Sequence, residues 1–333
     1  MRRADSTVLP PEPGVYRFRD QRGRVLYIGR AASLRSRVAS YWGDLGSRRH
    51  LAPMVSRIAR VQALVCDSGH EAAWLERNLL EQRLPPWNRT AGGQEVPVYI
   101  RLDPRPRTAG LAVVHATATP QRPWQIRTGP GPVPGIPDTR DVQDGRYFGP
   151  YLGGLRVRLA VSALDRVLPL CYAADGLAGW NRDMAAVRGV GPADRASLIQ
   201  AVTAVLDRDP ETVAWLLGEL TRRRDSAAAL LAFELAARLQ AEIRAVGWVT
   251  AEQKVTRAGP ADQDVHGWAD GVLVSLAVRA GRLAGWRERR CSRQAAAPLV
   301  AATAVSWRPF AQRNAELAAR LVRPGPLPAG QQA

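Results

Sequence analysis

The sequence predicts an α/β protein: a small layered domain at the start, a mainly helical middle with a helical hairpin, and a short β-containing C-terminal segment. Three observations carry that reading. Two glycine-and-aromatic tripeptides, Gly14-Val15-Tyr16 and Tyr27-Ile28-Gly29, flank a polar turn and run into an arginine-rich helix candidate. A helical hairpin pattern opens at Asp209-Pro210. Residues 264–286 alternate like strands around a glycine turn.

Taken in order, Val15, Phe18, Val25, Tyr27 and Ile28 mark two short strands around Asp20-Gln21-Arg22-Gly23. From Ala32 to Trp42, the residues Leu34, Val38 and Tyr41 recur at helical spacing, with Arg37 and Tyr41 four apart. A second helix is expected over Met54–Val61. A third follows Ser68, whose serine-x-x-glutamate spacing to Glu71 is a capping box. Ala72, Leu75 and Leu79 give it an apolar side, Glu76 comes midway, and Pro85-Pro86 closes it. Strand candidates recur at Val96–Leu102 and Leu111–His115, and GPGPVPGIPD from Gly129 reads as a linker. Arg146–Tyr151 reads as a turn feeding a helix through Val157, Val161, Leu164 and Leu168. Val187–Pro192 is either a turn ahead of a helix at 193–206 or a hairpin whose amides grip phosphate.

The formal net charge of +17 favours a polyanion, of which nucleic acid is the commonest. Only Lys254 is a lysine, so part of the arginine excess can reflect coding bias. Cys66, Cys171 and Cys291 are widely separated and odd in number, which argues against a disulfide framework and fits a reducing interior. The N-terminus lacks the apolar core of a signal peptide, and no apolar run is long enough to span a bilayer. Paired tyrosines, cationic side chains and a glycine opening suit phosphodiester cleavage better than packing alone. Glu76 is the candidate metal ligand, because a carboxylate is the hard donor that Mg²⁺ or Mn²⁺ prefers.

With these residues in place, the first domain resembles the GIY-YIG nucleases, and most closely the N-terminal domain of the UvrC family. The match runs through Gly14-Val15-Tyr16, Tyr27-Ile28-Gly29, the helix from Arg30 to Tyr41, Glu76-Arg77-Asn78-Leu79-Leu80 and Pro85-Pro86-Trp87-Asn88. Arg30 stands where that family usually has lysine. The resemblance implies catalytic roles for Tyr16, Tyr27, Arg37 and Glu76, with Glu76 holding one divalent cation, Mg²⁺ or Mn²⁺. Gly29, Arg30, Tyr41 and Asn88 would position the substrate or brace the pocket. In this scheme Tyr27, its pKa lowered by nearby cations, activates water, and Arg37 pairs with phosphate oxygens. Whether Tyr27 or Tyr16 is the base stays open.

The hairpin helix is expected to turn Leu231, Phe233, Leu235, Ala236, Leu239 and Ile243 toward packing surfaces, with Glu234 and Arg238 paired along its side. Residues 232–243 resemble the UVR motif, the docking hairpin for a UvrB-like helicase subunit. That resemblance assigns partner contact to Phe233, Glu234, Ala237 and Arg238, while Gln240 and Ala241 replace the usual arginine and aspartate.

The expected organisation is a GIY-YIG domain at 10–100, a connector at 101–208 and the hairpin at 209–250. A truncated C-terminal segment at 251–323 and a disordered tail at 324–333 follow. The implied function is a metal-dependent DNA endonuclease of nucleotide excision repair, acting on double-stranded DNA in the cytoplasm, associated with the nucleoid and away from membranes. It would make a single incision, 3′ to a bulky lesion, after recruitment by a UvrB-like subunit with UvrA upstream. Two other readings stay open: a structure-specific nuclease on branched or foreign DNA, and a catalytically silent DNA-binding adaptor.

Overall fold

The computed structural model describes residues 7–43, 45–89, 96–115, 145–256 and 262–322. The expected linker from Gly129 and the tail from Pro324 lie outside them. In chain order the elements begin with β1 (Gly14–Arg19), β2 (Val25–Ala31), α1 (Leu34–Ala39), α2 (Ala52–Val55), β3 (Arg60–Val65) and α3 (Gly69–Gln82). Then come β4 (Val98–Leu102), β5 (Leu111–His115), β6 (Arg146–Tyr151), α4 (Gly154–Val167), α5 (Gly179–Arg188) and α6 (Arg195–Leu206). The hairpin is α7 (Pro210–Ala229) and α8 (Phe233–Val249), followed by β7 (Gln263–Ala269), β8 (Val272–Arg279), β9 (Arg282–Arg290), α9 (Arg293–Ala301) and α10 (Arg308–Val322). None of the described helices is long and apolar enough to cross a membrane.

The chain divides into two compact units, Met1–Gln94 with Glu252–Ala333, and Glu95–Ala251. This grouping differs from the expected one. The C-terminal segment belongs with the first domain, and the connector and hairpin share one core.

In the first unit β1 is the central strand of an antiparallel sheet ordered β2-β1-β3. The expected helix over Met54–Val61 is replaced by the single turn α2 and by strand β3. Met54, Ile58 and Val61 are all buried, at a spacing that imitates a helix, but a turn, a loop and a strand supply them. Ser68 caps α3 as expected by accepting the Glu71 amide at 3.0 Å. Glu71 Oε2 reaches back to the Asp67 amide, one residue earlier than in the standard box. The C-terminal sheet β7-β8-β9 is built from two hairpins, with the two-residue turns Asp270-Gly271 and Ala280-Gly281 held at positive φ. Leu317 of α10 is fully buried in the same core as Tyr16, Phe18, Val38 and Tyr41.

Both outer edges of the first sheet are closed by an asparagine. Asn88 accepts the Ile28 amide at 2.9 Å and donates to the Ile28 carbonyl at 2.8 Å, on β2. Asn314 accepts the Val65 amide at 2.7 Å and donates to the Val65 carbonyl at 3.2 Å, on β3. Each side chain offers an open edge the donor and acceptor of another strand.

The second unit packs α4, α6, α7 and α8 with the sheet β5-β4-β6. Arg146–Tyr151, expected as a turn, is strand β6, paired with β4. Gly189 ends α5 in the left-handed conformation. The amides of Gly189, Val190 and Gly191 are already bonded to Ala186, Ala185 and Asp194, which supports the plain turn over the phosphate-gripping hairpin. Asp209 caps α7 as expected. The packing of α8 is corrected in part: Ala236, Leu239 and Ile243 join the core, but Leu231, Phe233 and Leu235 are exposed. Arg238 pairs forward with Glu242 at 3.5 Å, not back with Glu234.

Glu242 is fully buried and receives Ser162 at 2.8 Å and both Arg166 nitrogens at 2.7 and 2.9 Å. Burial opposes its charge, but the bonds from Arg166 and Ser162 win and hold the carboxyl below its usual range. Its stabilising contribution is therefore present above the unfolded carboxyl pKa and lost as pH falls through the lower folded value. Glu242→Gln is expected to cost about 3 kcal/mol at neutral pH, with the difference from the parent shrinking in acid, as read by urea unfolding.

Candidate active site

The ladder register builds the site. Tyr16 on β1 lies directly opposite Gly29 on β2, and Phe18 lies opposite Tyr27. A Cβ at position 29 would fall 2.5 Å from the Tyr16 hydroxyl and 2.8 Å from the Tyr27 ring. Glycine is thus required here to admit the phenol. Tyr41, on a 3-10 turn after α1, hydrogen bonds to the Tyr16 hydroxyl at 2.8 Å. The ring centroids of Tyr16, Tyr27 and Tyr41 lie 5.9–6.3 Å apart. Phe18 packs edge-on to Tyr41 at 4.9 Å, with Trp42 at 6.0 Å behind it.

Within this cluster Tyr16 is fully buried and Tyr41 is 1% exposed, while Tyr27 is half-buried. Tyr41 therefore braces the other tyrosines from inside and is not placed to position a DNA strand. The tyrosine pKa values also correct an expectation. Burial, then the neighbouring Tyr41 and Tyr27, pushes the Tyr16 phenol well above its ordinary value. Burial, then Tyr41 and Glu76, likewise raises Tyr27, with Arg37 opposing only weakly. Tyr27 is not a lowered phenol, because the cation beside it is outweighed by loss of water.

Arg37 extends from α1 with its guanidinium 5.9 Å from the Tyr41 ring centroid, and its buried Nε has no hydrogen-bond partner among the described residues. Burial works against its charge, but Tyr16, Tyr41 and Tyr27 raise its pKa overall. It stays a fixed cation at the cluster. Glu76 projects from the middle of α3 toward β2, where one oxygen accepts the Arg30 amide at 3.2 Å and the other faces Arg30 Nε at 3.4 Å. Its side chain keeps 22% exposure, so the carboxylate remains reachable. Asn88 acts on the backbone of β2 as described above. Phe233, Glu234, Ala237 and Arg238 are exposed on α8, in the other unit.

Sequence reasoning missed the supports Phe18, Trp42 and Asn314. Asn314 and Leu317 had a legible signal, since Phe310, Asn314, Leu317 and Leu321 recur at helical spacing.

A strand-turn-strand-helix unit with its tyrosines gathered over a glycine and one carboxylate across from them defines a domain class. Residues 12–89 match the model of the UvrC-like GIY-YIG domain, and this chain carries such a domain. Along most of its length it is homologous to UvrABC system protein C. It is 32% identical over 296 residues to that protein of Geobacter metallireducens, covering 84% of this chain and 44% of the relative. The corresponding figures for Synechocystis sp. are 31% over 300 residues, 83% and 43%. This chain thus spans less than half the length of those relatives. A solved structure, the GIY-YIG N-terminal endonuclease domain of UvrC from Thermotoga maritima bound to its catalytic magnesium, is 29% identical with a TM-score of 0.25. It covers 27% of this chain and 100% of its own.

Gly29→Ala is expected to displace Tyr16 and cost about 1–3 kcal/mol in urea unfolding, as overpacking at a filled position does.

Proposed function

We propose that this chain is a metal-dependent DNA endonuclease of nucleotide excision repair. The observation that carries the reading is the convergence of Tyr16, Tyr27, Tyr41, Arg37 and Glu76 around Gly29. The homology to UvrABC system protein C supports the pathway. The net charge of +17 supports a DNA substrate.

Among the described residues no group of three or more His, Cys, Asp and Glu could hold a metal ion by itself. A single reachable carboxylate still fits Mg²⁺ or Mn²⁺, because such ions keep several waters and take the rest of their oxygens from substrate phosphate. Glu76 would hold the ion, which supplies charge stabilisation at the scissile phosphate. Arg37, fixed as a cation, pairs with the non-bridging oxygens as their charge grows. Tyr27, the accessible tyrosine, acts as its phenolate, taking the proton of the attacking water and ending as the neutral phenol. Tyr16 and Tyr41 hold it in place through their shared hydrogen bond. Arg30 releases Glu76 and turns to the phosphodiester. We assign the cut to the 3′ side of a bulky lesion.

Recruitment by a UvrB-like subunit, with UvrA upstream, is supported by the hairpin tip. There Leu230, Leu231 and Phe233 are 78%, 72% and 66% exposed, and Leu231 is held at φ 57°. Apolar side chains set out in water at a strained turn suit a docking contact.

The test is strand-resolved nicking of an adducted duplex with Mg²⁺ and preassembled UvrA–UvrB. A single 3′ cut supports the reading; cleavage of branched DNA alone moves it to a structure-specific nuclease. Glu76→Gln is expected to abolish nicking while DNA affinity stays nearly unchanged, measured by filter binding. Because the Tyr27 phenol is raised, its phenolate fraction climbs with pH, so nicking should rise about tenfold per pH unit between about pH 7 and 9. Tyr27→Phe should flatten that rise.

A further inference from the structure

Helix α3 has a second attachment, on the side away from the tyrosines. At about 100° per residue, Asn78 lies about 200° around the helix from Glu76, Glu71 about 220° and Glu81 about 140°. All three back-side residues are tied to the C-terminal segment. Asn78 is 1% exposed and donates to the Val255 carbonyl at 3.1 Å and to the Thr256 hydroxyl at 2.9 Å. Glu71, fully buried, accepts the Lys254 amide at 2.8 Å. Glu81 pairs with Arg282 at 2.8 Å, and Ser68 at the helix start donates to the Glu252 carbonyl at 3.1 Å. The segment is itself stiff. The Thr256 amide bonds to Gln253 Oε1 at 2.7 Å, and Val255 accepts the Leu283 amide at 2.8 Å.

We propose that Glu252–Thr256 is a positioning strap for α3, in which Asn78 and Thr256 set the rotation of the helix and thereby the reach of Glu76. The inference rests on the metal-holding role given to Glu76 above. Its physical basis is leverage. A helix rotation of about 10° moves a carboxylate some 5–6 Å off the axis by about 1 Å. A displacement of that size is enough to cost a large part of a rate. Buried polar groups fix such a rotation more sharply than apolar contact, because a slipped helix leaves a donor unpaired. The strap begins three residues after α8 ends.

The test uses the full chain with Thr256→Val, which keeps volume and removes the hydroxyl, and Thr256→Ser, which restores it. Three readouts are taken: Mn²⁺ binding by electron paramagnetic resonance, single-turnover nicking with DNA affinity, and amide hydrogen exchange over residues 74–80. Thr256→Val is expected to weaken Mn²⁺ binding about tenfold and slow nicking with DNA affinity unchanged, as loss of a ligand's support does, while Thr256→Ser behaves like the parent. Parent-like Mn²⁺ binding in Thr256→Val, or equal damage in Thr256→Ser, overturns the strap. If the parent binds no Mn²⁺ and cuts nothing, the functional reading falls and hydrogen exchange decides. Faster exchange confined to α3 in Thr256→Val sustains the strap, and unchanged exchange rejects it.

Discussion

The Tyr16 hydroxyl occupies the space that a side chain at position 29 would fill, and the rest of the site follows from that exclusion. Cross-strand register sets the two residues face to face, so the phenol lies over bare backbone. A hydroxyl buried there needs a partner. Tyr41 supplies it, and this fixes how the turn after α1 meets the sheet. Tyr16 and Tyr41 are both buried, and of the three tyrosines Tyr27 alone keeps access to water. The aromatic residues thus divide into a buried brace and one accessible hydroxyl.

A three-strand sheet has two open edges and a small core. The first unit deals with both by using side chains distant in sequence. Asn88 closes β2 and Asn314 closes β3, while Leu317 fills the core that residues 12–89 share. On the opposite face from the tyrosines, Arg17 is buried between Gln62, which it meets at 2.6 Å, and the Trp286 ring at 3.8 Å. Burial, with Arg19 nearby, brings its pKa down to about 9. Some of the arginine surplus is therefore structural, and the net charge overstates the surface available to a polyanion.

Much of this was legible in the sequence. The tripeptides marked β1 and β2, and Ser68 with Glu71 marked the start of α3, because turn and cap chemistry is local. The same pattern reading gave the wrong element at Met54–Val61, where apolar spacing at four and three residues is shared by three different structures. Exposure misled at Leu231, Phe233 and Leu235, since an apolar residue on a helix says nothing of whether its partner is in the same chain. The tyrosine pKa shift could not be read at all. It depends on how much water the fold removes, and the arginines visible in the sequence point the other way. The contribution of α10 and the strap to the first domain was hidden by the more than 150 residues between them, a separation that no periodicity spans.

Lys254 is the only lysine in 333 residues, and it lies within the strap, paired with Asp67 at 2.8 Å and 5.7 Å from the Phe310 ring centroid. Apart from the α-amino group, the chain therefore presents amine-directed reagents with one side chain, partly shielded and next to the catalytic helix. A dye or crosslinker aimed at primary amines becomes a local reporter at that point. The rate at which it couples measures how often the Lys254–Asp67 pair opens.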